Sequence, residues 1–493
     1  MTVRPIQSVL IANRGEIAVR ILRTLRALGQ RGVVVHHAID ANTPAVALAD
    51  QAIEILGPTP VAAYLDGAQI IAAAKAAGAD AVHPGYGFLS ENADFARACG
   101  AAGLVFVGPR PETIDLMGDK VRARNFVAER GFPVAPSAIE DDDPASFADR
   151  ARALGVPLLI KPSAGGGGKG MRIVRDITIL DEELERGRNE GARYFGDGRL
   201  FVERYIEQPR HIEVQVLGDA YGDVVHLFER ECSLQRRFQK VVEEAPSPTL
   251  SPHERARICA VAAGIAKAAG YLGAGTVEFI YGRDEFYFLE MNTRIQVEHP
   301  VTEEITGVDL IAEQLRVAAG EPLGYGQEAI VARGHAIEVR VYAEDAARDF
   351  APTTGPLLVM RPPEGQGVRV DAGVAQGGAI TAAFDPMIAK LIVHAETRAE
   401  ALERADTALT DFIVLGCPTN IGYLRRLLRD PEVRAGAIHT GLIGAKPALA
   451  QEPPVADKTR LKLLAAAALS SRPVRDAAET APAPHAAIGE WRN

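Results

Sequence analysis

The segment Glu290–Pro300 constrains this chain more than any other, because its polar and apolar residues alternate. In an extended strand, successive side chains point to opposite faces. One face would carry Met291, Thr293, Ile295 and Val297, and the other would carry Glu290, Asn292, Arg294, Gln296 and Glu298. A solvated strand does not need carboxylates, amides and a guanidinium in this order. We therefore predict that the segment is the extended wall of an active site.

The polar face predicts sites for a cation and for an anion. Glu290 and Asn292 would hold the cation. Arg294 and Gln296 would hold an oxyanion, and Glu298 would act as a base. Carboxylate and amide oxygens suit a hard ion such as Mg²⁺, which commonly also binds nucleotide phosphates.

A predicted hairpin supplies a second carboxylate to the cation site. The strands 276–281 and 285–290 flank Gly282, and a three-residue loop would place Glu278 on the same face as Glu290. Two carboxylates this close repel each other unless a cation lies between them. The alternative is a charged, solvated face on an amphipathic hairpin.

Length and charge limit the class of protein. At 493 residues the chain predicts two to four domains, and its hydrophobic content of 47% is that of a globular protein. The net charge of −10 argues against binding to nucleic acid or to a membrane surface. The four cysteines show no metal spacing, and the first residues lead directly into a strand, so we expect reduced thiols and a cytoplasmic location.

The pattern along the chain predicts an α/β and α+β multidomain fold. Residues 1–115 alternate strand and helix as a parallel α/β layer, without the glycine pattern of a dinucleotide site. Residues 116–330 form a second domain, in which 135–203 is a separate small unit. Residues 335–445 form an α+β domain, and 446–493 is a linker or tail rich in Ala and Pro.

Two further segments predict ligand contacts. Pro162–Gly170 contains four consecutive glycines, which let backbone N–H groups approach phosphates closely, although the pattern is not a P-loop. Lys161 and Lys169 favour a phosphate lid over a flexible linker. The segment 229–240 is dense in charges and amides, and we interpret it as an active-site loop, with a solvated loop as the alternative.

From about Ile6 to Leu442 the chain resembles the biotin carboxylase component of biotin-dependent carboxylases, within the ATP-grasp superfamily. The motifs that carry the resemblance are 11–18 (IANRGEIA), 83–91 (HPGYGFLSE), 117–120 (MGDK), the loop 165–170 and 294–302 (RIQVEHPVT). Their order and spacing make a chance match very improbable. The resemblance implies an N-terminal α/β domain, an ATP-grasp domain with 135–203 as a mobile lid, and a C-terminal α+β domain.

The resemblance also implies roles for individual residues. Those expected to bind ATP are Lys120, Lys161, Gly165, Gly166, Gly167 and Gly168 at the phosphates, Glu203, Ile206 and His439 at the adenine, and His211 and Gln235 at the ribose. Those expected to bind Mg²⁺ (or Mn²⁺) are Glu278, Glu290 and Asn292. Those expected to bind bicarbonate or biotin are Lys240, Arg294, Gln296, the Val297 N–H, Glu298 as the base, Arg340 beside the biotin enolate and Tyr86 beside the biotin ring.

The implied reaction is ATP- and bicarbonate-dependent carboxylation of biotin through carboxyphosphate, the first half-reaction of an acyl-CoA carboxylase. Three positions depart from the family pattern: Arg204, Ala164 and Phe238. Phe238 replaces a histidine near the ribose, which predicts weaker nucleotide binding. The alternatives are another ATP-grasp ligase, such as a carbamoyl-phosphate synthetase-like half, and a non-catalytic ATP-binding subunit.

The resemblance implies partners as well. The chain contains no Ala-Met-Lys-Met motif, so we expect no covalent biotin on it and a biotin carboxyl carrier elsewhere. A carboxyltransferase subunit or domain would set the final acceptor. We expect a homodimer or a larger carboxylase complex, and we interpret the tail from Lys446 as a docking linker.

Overall fold

The computed structural model describes residues 3–140, 143–162, 171–195, 197–282, 284–453 and 457–470, without the side chains of 194, 195 and 468–470. The phosphate-loop residues predicted from the sequence, Gly165, Gly166, Gly167 and Gly168, lie outside these ranges, as does most of the predicted tail. None of the described helices is long and apolar enough to cross a membrane.

The first part of the chain folds as a parallel sheet with helices on its faces. Its elements are β1 (Ser8–Ile11), α1 (Gly15–Ala27), β2 (Arg31–His36), α2 (Pro44–Leu48), β3 (Gln51–Glu54), α3 (Pro60–Tyr64), α4 (Gly67–Ala76), β4 (Ala81–His83), α5 (Ala93–Ala101), β5 (Val105–Phe106) and α6 (Pro111–Gly118). The strand order is β3-β2-β1-β4-β5, with every pair parallel. Strands buried on both faces need continuous apolar runs, such as 8–12 and 33–35. The predicted parallel layer is confirmed, and β3 is a strand that the sequence analysis missed.

A small antiparallel sheet follows, between α7 (Lys120–Glu129) and residue 204. It comprises β6 (Ser137–Ile139), α8 (Phe147–Ala153), β7 (Leu158–Pro162), β8 (Arg172–Val174), α9 (Leu180–Phe195) and β9 (Leu200–Arg204). The strand order is β6-β9-β7-β8, and the helices cover a core that is separate from the others. We call residues 135–203 the lid segment.

The central part of the molecule rests on an eight-stranded antiparallel sheet. Its first elements are β10 (Arg210–Gly218), β11 (Val224–Arg236), β12 (Gln239–Ala245), α10 (Pro252–Ala268), β13 (Gly273–Gly282), β14 (Glu285–Asn292), α11 (His299–Thr306) and α12 (Leu310–Ala318). The capping box of Ser251 and Glu254 begins α10. The prediction that 229–240 is a loop is wrong, because these residues form most of β11, the start of β12 and the turn between them. Their polar side chains face a buried ionic cluster instead of solvent, so the segment shows no simple apolar alternation.

The last part of the chain extends the same sheet. Its elements are β15 (His335–Tyr342), β16 (Glu344–Asp345), β17 (Ala351–Pro352), β18 (Gly355–Pro356), β19 (Val359–Arg361), β20 (Val368–Ala372), β21 (Ala379–Ile380), β22 (Met387–Ala395), α13 (Arg398–Asp411), β23 (Ile413–Leu415), α14 (Ile421–Leu428), α15 (Pro431–Arg434), α16 (Leu442–Ala445) and α17 (Asp457–Ser470). The order β14-β13-β10-β11-β12-β15-β22-β20 joins both regions through the β12–β15 pair. The fold class predicted from the sequence is confirmed.

The strand predicted through Glu298 is shorter than expected. β14 ends at Asn292, and Glu298 is the N-cap of α11, which has a proline in its first turn and ends at Gly307 in the left-handed conformation. Residues 293–298 therefore bend away from the sheet. The bend carries the later polar residues towards β12 and β15 instead of continuing along one flat face.

Candidate active site

The predicted pair of carboxylates lies on the β13–β14 hairpin. Glu278 is directly opposite Glu290, although the turn between the paired Gly282 and Glu285 has two residues and not three. A register shift between Glu278 and Phe279 compensates for the shorter turn. The Asn292 amide donates to Glu278 over 2.8 Å, so all three predicted cation ligands meet on one face.

Basic side chains contact both carboxylates of the pair. Lys120 Nζ lies 2.8 Å from Glu290 Oε2, and His211 Nε2 lies 2.7 Å from Glu278 Oε2. Burial would raise the pKa of Glu278, but Lys240 and His211 outweigh burial and hold this pKa well below its ordinary value. Glu278 is therefore ionised and able to bind a cation.

These residues fit a hard divalent cation. Glu278, Glu290 and Asn292 offer oxygen atoms from two paired strands, which is the donor type that Mg²⁺ prefers. Cys232 comes close to Glu213 and Glu298 in a separate group, but it is fully buried and burial raises its pKa well above the ordinary value. A neutral thiol is a poor metal ligand.

Lys240 lies at the centre of the site. Its Nζ is 2.6 Å from Glu213 Oε2, 3.2 Å from Glu278 Oε1 and 2.5 Å from Glu298 Oε1. Burial alone would lower the pKa of Lys240, but the three carboxylates raise it well above its ordinary value. Lys240 is therefore a fixed cation between the predicted metal ligand and the predicted base.

Glu298 is held from two sides. Lys240 binds one carboxylate oxygen, and Arg340 NH2 binds the other over 2.8 Å. Arg340 also pairs with Glu243, a carboxylate that the sequence analysis did not single out. Burial would raise the pKa of Glu298, but Lys240, Arg340 and Arg230 outweigh it and lower this pKa far below its ordinary value. The structure thus brings Lys240, Glu298 and Arg340 together.

Arg230 forms hydrogen bonds with several buried residues of this cluster, and the sequence analysis did not identify it. It is fully buried and donates to Glu213 (2.6 Å) and Gln296 (2.6 Å). Its other partners are Gln215, Thr276 and Thr302. Gln296 in turn donates to Glu278 over 2.8 Å. The only sequence signal for Arg230 was its position in the charged segment that we interpreted as a loop.

Arg294 is the predicted anion ligand nearest the edge of the site. Its Nε donates to Glu91 over 2.9 Å, and its NH2 donates to Asn292 over 2.9 Å. Glu91 ends the motif 83–91, so the contact ties this motif to the bend after β14. Bicarbonate binding at Arg294 would have to share the guanidinium with Glu91.

A cavity of about 410 Å³ opens beside this cluster. Arg340, Val297 and Tyr86 line it, together with Glu16 from the start of α1. The Tyr86 hydroxyl donates to Glu16. The Arg14 guanidinium stacks over Phe384, another lining residue, at 3.8 Å. The lining therefore combines charged residues with aromatic and apolar ones, as a site for a ring-shaped substrate would.

The predicted nucleotide residues lie around the lid segment and β10. Lys161 pairs with Glu203 across the lid sheet, and Ile206 is buried just after β9. The residue after His439 donates its backbone N–H to the carbonyl of Pro209, which brings His439 next to the start of β10. Gln235 is buried on β11, opposite Lys240. The roles of all these residues stay predictions.

Comparisons with known proteins define the class. Three family models match in succession: the biotin carboxylase N-terminal domain over residues 5–114, the ATP-binding domain of the carbamoyl-phosphate synthase L chain over 119–325, and the biotin carboxylase C-terminal domain over 338–445. This order is that of an ATP-dependent carboxylase.

Individual relatives agree. The chain is 48% identical to the biotin carboxylase of Halalkalibacterium halodurans, over 89% of this chain and 97% of that protein. It is 46% identical to the alpha subunit of mitochondrial methylcrotonoyl-CoA carboxylase of Rattus norvegicus, covering 89% of this chain and 62% of the subunit. The biotin carboxylase domain of Hydrogenobacter thermophilus 2-oxoglutarate carboxylase, solved as a dimer with MgADP, ADP and bicarbonate, superposes with a TM-score of 0.83 at 44% identity, covering 91% of this chain and 99% of that one.

This chain belongs to the biotin carboxylase family. The predicted family, fold class and enzyme class are confirmed. The assignments of single residues and of domain boundaries rest on the geometry above and on the resemblance, and they stay predictions.

Proposed function

We propose that this chain uses ATP to carboxylate biotin on a separate carrier, with Glu298 as the base and Arg340 as the partner of the biotin enolate. The observation that carries the proposal is the convergence of Lys240, Glu298 and Arg340, the last of which also lines the cavity. A positioned base, two fixed cations and a ring-sized space are what the two steps of this reaction need.

In the first step, bicarbonate attacks the γ-phosphorus of ATP. Glu298 accepts the bicarbonate proton, the bond to the β-phosphate oxygen breaks, and ADP and carboxyphosphate result. Lys240, Arg294, Gln296 and the Val297 N–H hold the bicarbonate in line. A divalent cation held by Glu278, Glu290 and Asn292 would neutralise charge on the phosphates.

The ion pairs of Glu298 explain how a strongly acidic carboxyl can act as a base. Lys240 and Arg340 hold it ionised, so it is ready to accept a proton. Bicarbonate is an anion and competes for the same Lys240. When Lys240 turns towards bicarbonate, Glu298 loses part of its stabilisation and its proton affinity rises.

In the second step, carboxyphosphate breaks down to CO₂ and phosphate within the closed site. The phosphate removes the N1′ proton of biotin, and N1′ forms a bond to CO₂. The negative charge on the biotin ureido oxygen lies beside Arg340, which is fully ionised and fixed by Glu243. Tyr86 borders the space for the ring.

The lid segment would close over ATP. Its sheet carries Lys161 and Glu203, and its glycine loop would cover the phosphates. We expect hydrogen exchange in the lid segment to slow when MgATP binds. Exchange that is the same with and without MgATP would contradict this part of the proposal.

The partners follow from the reaction. A biotinylated carrier would deliver biotin, and a carboxyltransferase would take the carboxyl group to an acyl-CoA or keto acid. We also propose a homodimer, as in the solved 2-oxoglutarate carboxylase domain, Mn²⁺ as a substitute for Mg²⁺, no covalent biotin on this chain, and a cytoplasmic location.

The test is ADP release by the purified chain. We expect bicarbonate-dependent ADP release with MgATP that increases when free biotin is added, and a larger increase with a biotinylated carrier. A rate of ADP release that biotin does not change but ammonia increases would instead favour a carbamoyl-phosphate synthetase-like ligase. The absence of any bicarbonate dependence would refute the proposed function.

A further inference from the structure

Lys390 is a fully buried lysine that has no role in the reaction described above. It lies on β22, at 0% exposure, directly opposite Arg340 on β15 and Asp371 on β20. Opposed residues of antiparallel strands project to the same face. Lys390 and Arg340 are therefore neighbours on one face of the sheet, and Arg340 lines the cavity.

The two cations hold consecutive residues of the bend before α11. Arg340 binds the Glu298 carboxylate, and Lys390 Nζ donates to the Val297 carbonyl over 2.6 Å. Arg340 thus fixes a side chain, and Lys390 fixes the backbone that carries it. Val297 is also the residue whose backbone N–H we assign to bicarbonate.

Lys390 also reaches the opposite wall of the cavity. Its Nζ lies 3.2 Å from Glu16 Oε1, and Glu16 accepts the hydroxyl of Tyr86. Both Glu16 and Tyr86 line the cavity. One buried ammonium therefore connects the bend that carries the base with the wall that borders the biotin ring.

The charge of Lys390 is maintained by its surroundings. Burial would lower its pKa, but Glu16, Glu338 and Asp371 outweigh burial and raise it. An ammonium with three donors can bind a carbonyl and a carboxylate together, whereas a methionine side chain of similar length has no N–H donor.

We propose that Lys390 is a positioning residue, which sets the distance between the Val297–Glu298 bend and the Glu16–Tyr86 wall. This inference rests on the proposed function. Lys390 touches neither substrate, so its effect on rate passes through Glu298 and Tyr86. The competing explanation is a structural ion pair with no influence on the reaction.

The test compares Lys390→Met with a matched control. We expect kcat for bicarbonate-dependent ADP release to fall about 10-fold to 10²-fold, because a small displacement of a positioned group has effects of this size. The KM for ATP should stay at the wild-type value. Lys390→Arg, which keeps a cationic donor, should restore part of the loss.

Arg398 provides the control. It is mostly buried and binds Glu244 over 2.6 Å and the Val433 carbonyl over 2.7 Å, so it pairs with a carboxylate and a carbonyl as Lys390 does. None of these three residues lines the cavity. Arg398→Met should lower the melting temperature without lowering kcat.

The outcomes separate the explanations. Wild-type kcat in a folded Lys390→Met variant overturns the inference, and so does a parallel loss of ATP binding and kcat, which indicates a structural role. If Lys390→Met does not fold, the charge-balanced Lys390→Met/Glu16→Gln variant replaces it, compared with Arg398→Met/Glu244→Gln. Wild-type kcat in that variant overturns the inference equally. Failure of the wild type to show bicarbonate-dependent ADP release refutes the proposed function instead.

Discussion

The ion pairs around Lys240 and Arg340 in the eight-stranded sheet are buried, while several ion pairs of the lid segment lie at the surface. Arg230 and Glu213 are both fully buried and 2.6 Å apart. Arg152 and Asp181 in the lid segment approach to 2.5 Å, but their side chains are 40% and 66% exposed. Breaking one member of a buried pair leaves an uncompensated charge, whereas an exposed pair contributes little.

This contrast suits two different roles: fixed charges in the sheet and movement of the lid segment. The sheet holds the charges of the site in fixed positions before substrates arrive, which lowers the reorganisation needed during the reaction. The lid segment has a hydrophobic core of its own and several exposed ion pairs, and we predict that it moves as a unit at small energetic cost. Substitutions in the buried ion pairs of the sheet should therefore have larger effects than substitutions in the exposed ion pairs of the lid segment.

The largest expected effect is that of Glu298→Gln. The amide cannot accept the bicarbonate proton, so biotin-dependent turnover should fall about 10²-fold to 10⁴-fold, while MgATP binding persists. Glu244→Gln removes a buried carboxylate that binds His335 and Arg398 away from the cavity, and it should keep its turnover. Turnover of Glu298→Gln close to wild type would remove Glu298 from its assigned role.

Arg230→Met tests the comparison through stability. The change leaves Glu213 buried beside Lys240 alone, and we expect the free energy of unfolding to fall by about 3–5 kcal/mol. Arg152→Ala in the lid segment should lower it by less than about 1 kcal/mol. Urea denaturation of both variants measures the difference. Equal losses would show that burial does not distinguish the two regions.

Arg340→Ala should separate the two partial reactions. Biotin carboxylation is expected to fall about 10²-fold to 10³-fold, because the enolate loses its cation. Bicarbonate-dependent ATP cleavage without biotin should fall less, since carboxyphosphate forms before the enolate. An equal loss in both assays would assign Arg340 to the earlier step.

The smallest effect is a pH dependence of stability at Glu231, which lies on β11. Burial raises the pKa of this carboxyl to about 7, against partial compensation by Arg210, Ser233 and Ser247. The folded state therefore keeps a proton that the unfolded state releases near pH 4.3. The contribution of Glu231 to the free energy of unfolding is full below about pH 4.3 and is lost as pH rises through about 7.

The measurement is thermal or urea unfolding at several pH values, for the wild type and Glu231→Gln. Between these two pH values the free energy of unfolding of the wild type should fall by up to about 1.4 kcal/mol per pH unit more than that of the variant. This slope corresponds to the release of one proton. Asp197 in the lid segment has the opposite shift, because its pairing with Arg199 lowers its pKa to about 2. Identical pH profiles of the two proteins would show that Glu231 is ionised in the folded state at neutral pH.

Sequence reasoning found the parallel layer because buried strands have continuous apolar runs. It also placed Glu278 on the same face as Glu290, although with a three-residue loop, whereas the structure has a shorter turn and a register shift. It failed at 229–240, because strands that bury ion pairs lack the alternation by which strands are recognised. Arg230 and Lys390 could not be singled out, since their partners come from distant strands and only the folded sheet brings them together.

The most direct test of the account is the transfer of labelled bicarbonate carbon to biotin by the isolated chain. With MgATP and free biotin, the account predicts acid-labile carboxybiotin in an amount equal to the biotin-dependent part of the ADP released, and a loss of about 10²-fold or more with Glu298→Gln. A biotinylated carrier should give the same product at lower concentration. ADP release without labelled carboxybiotin from the active wild type would contradict the account.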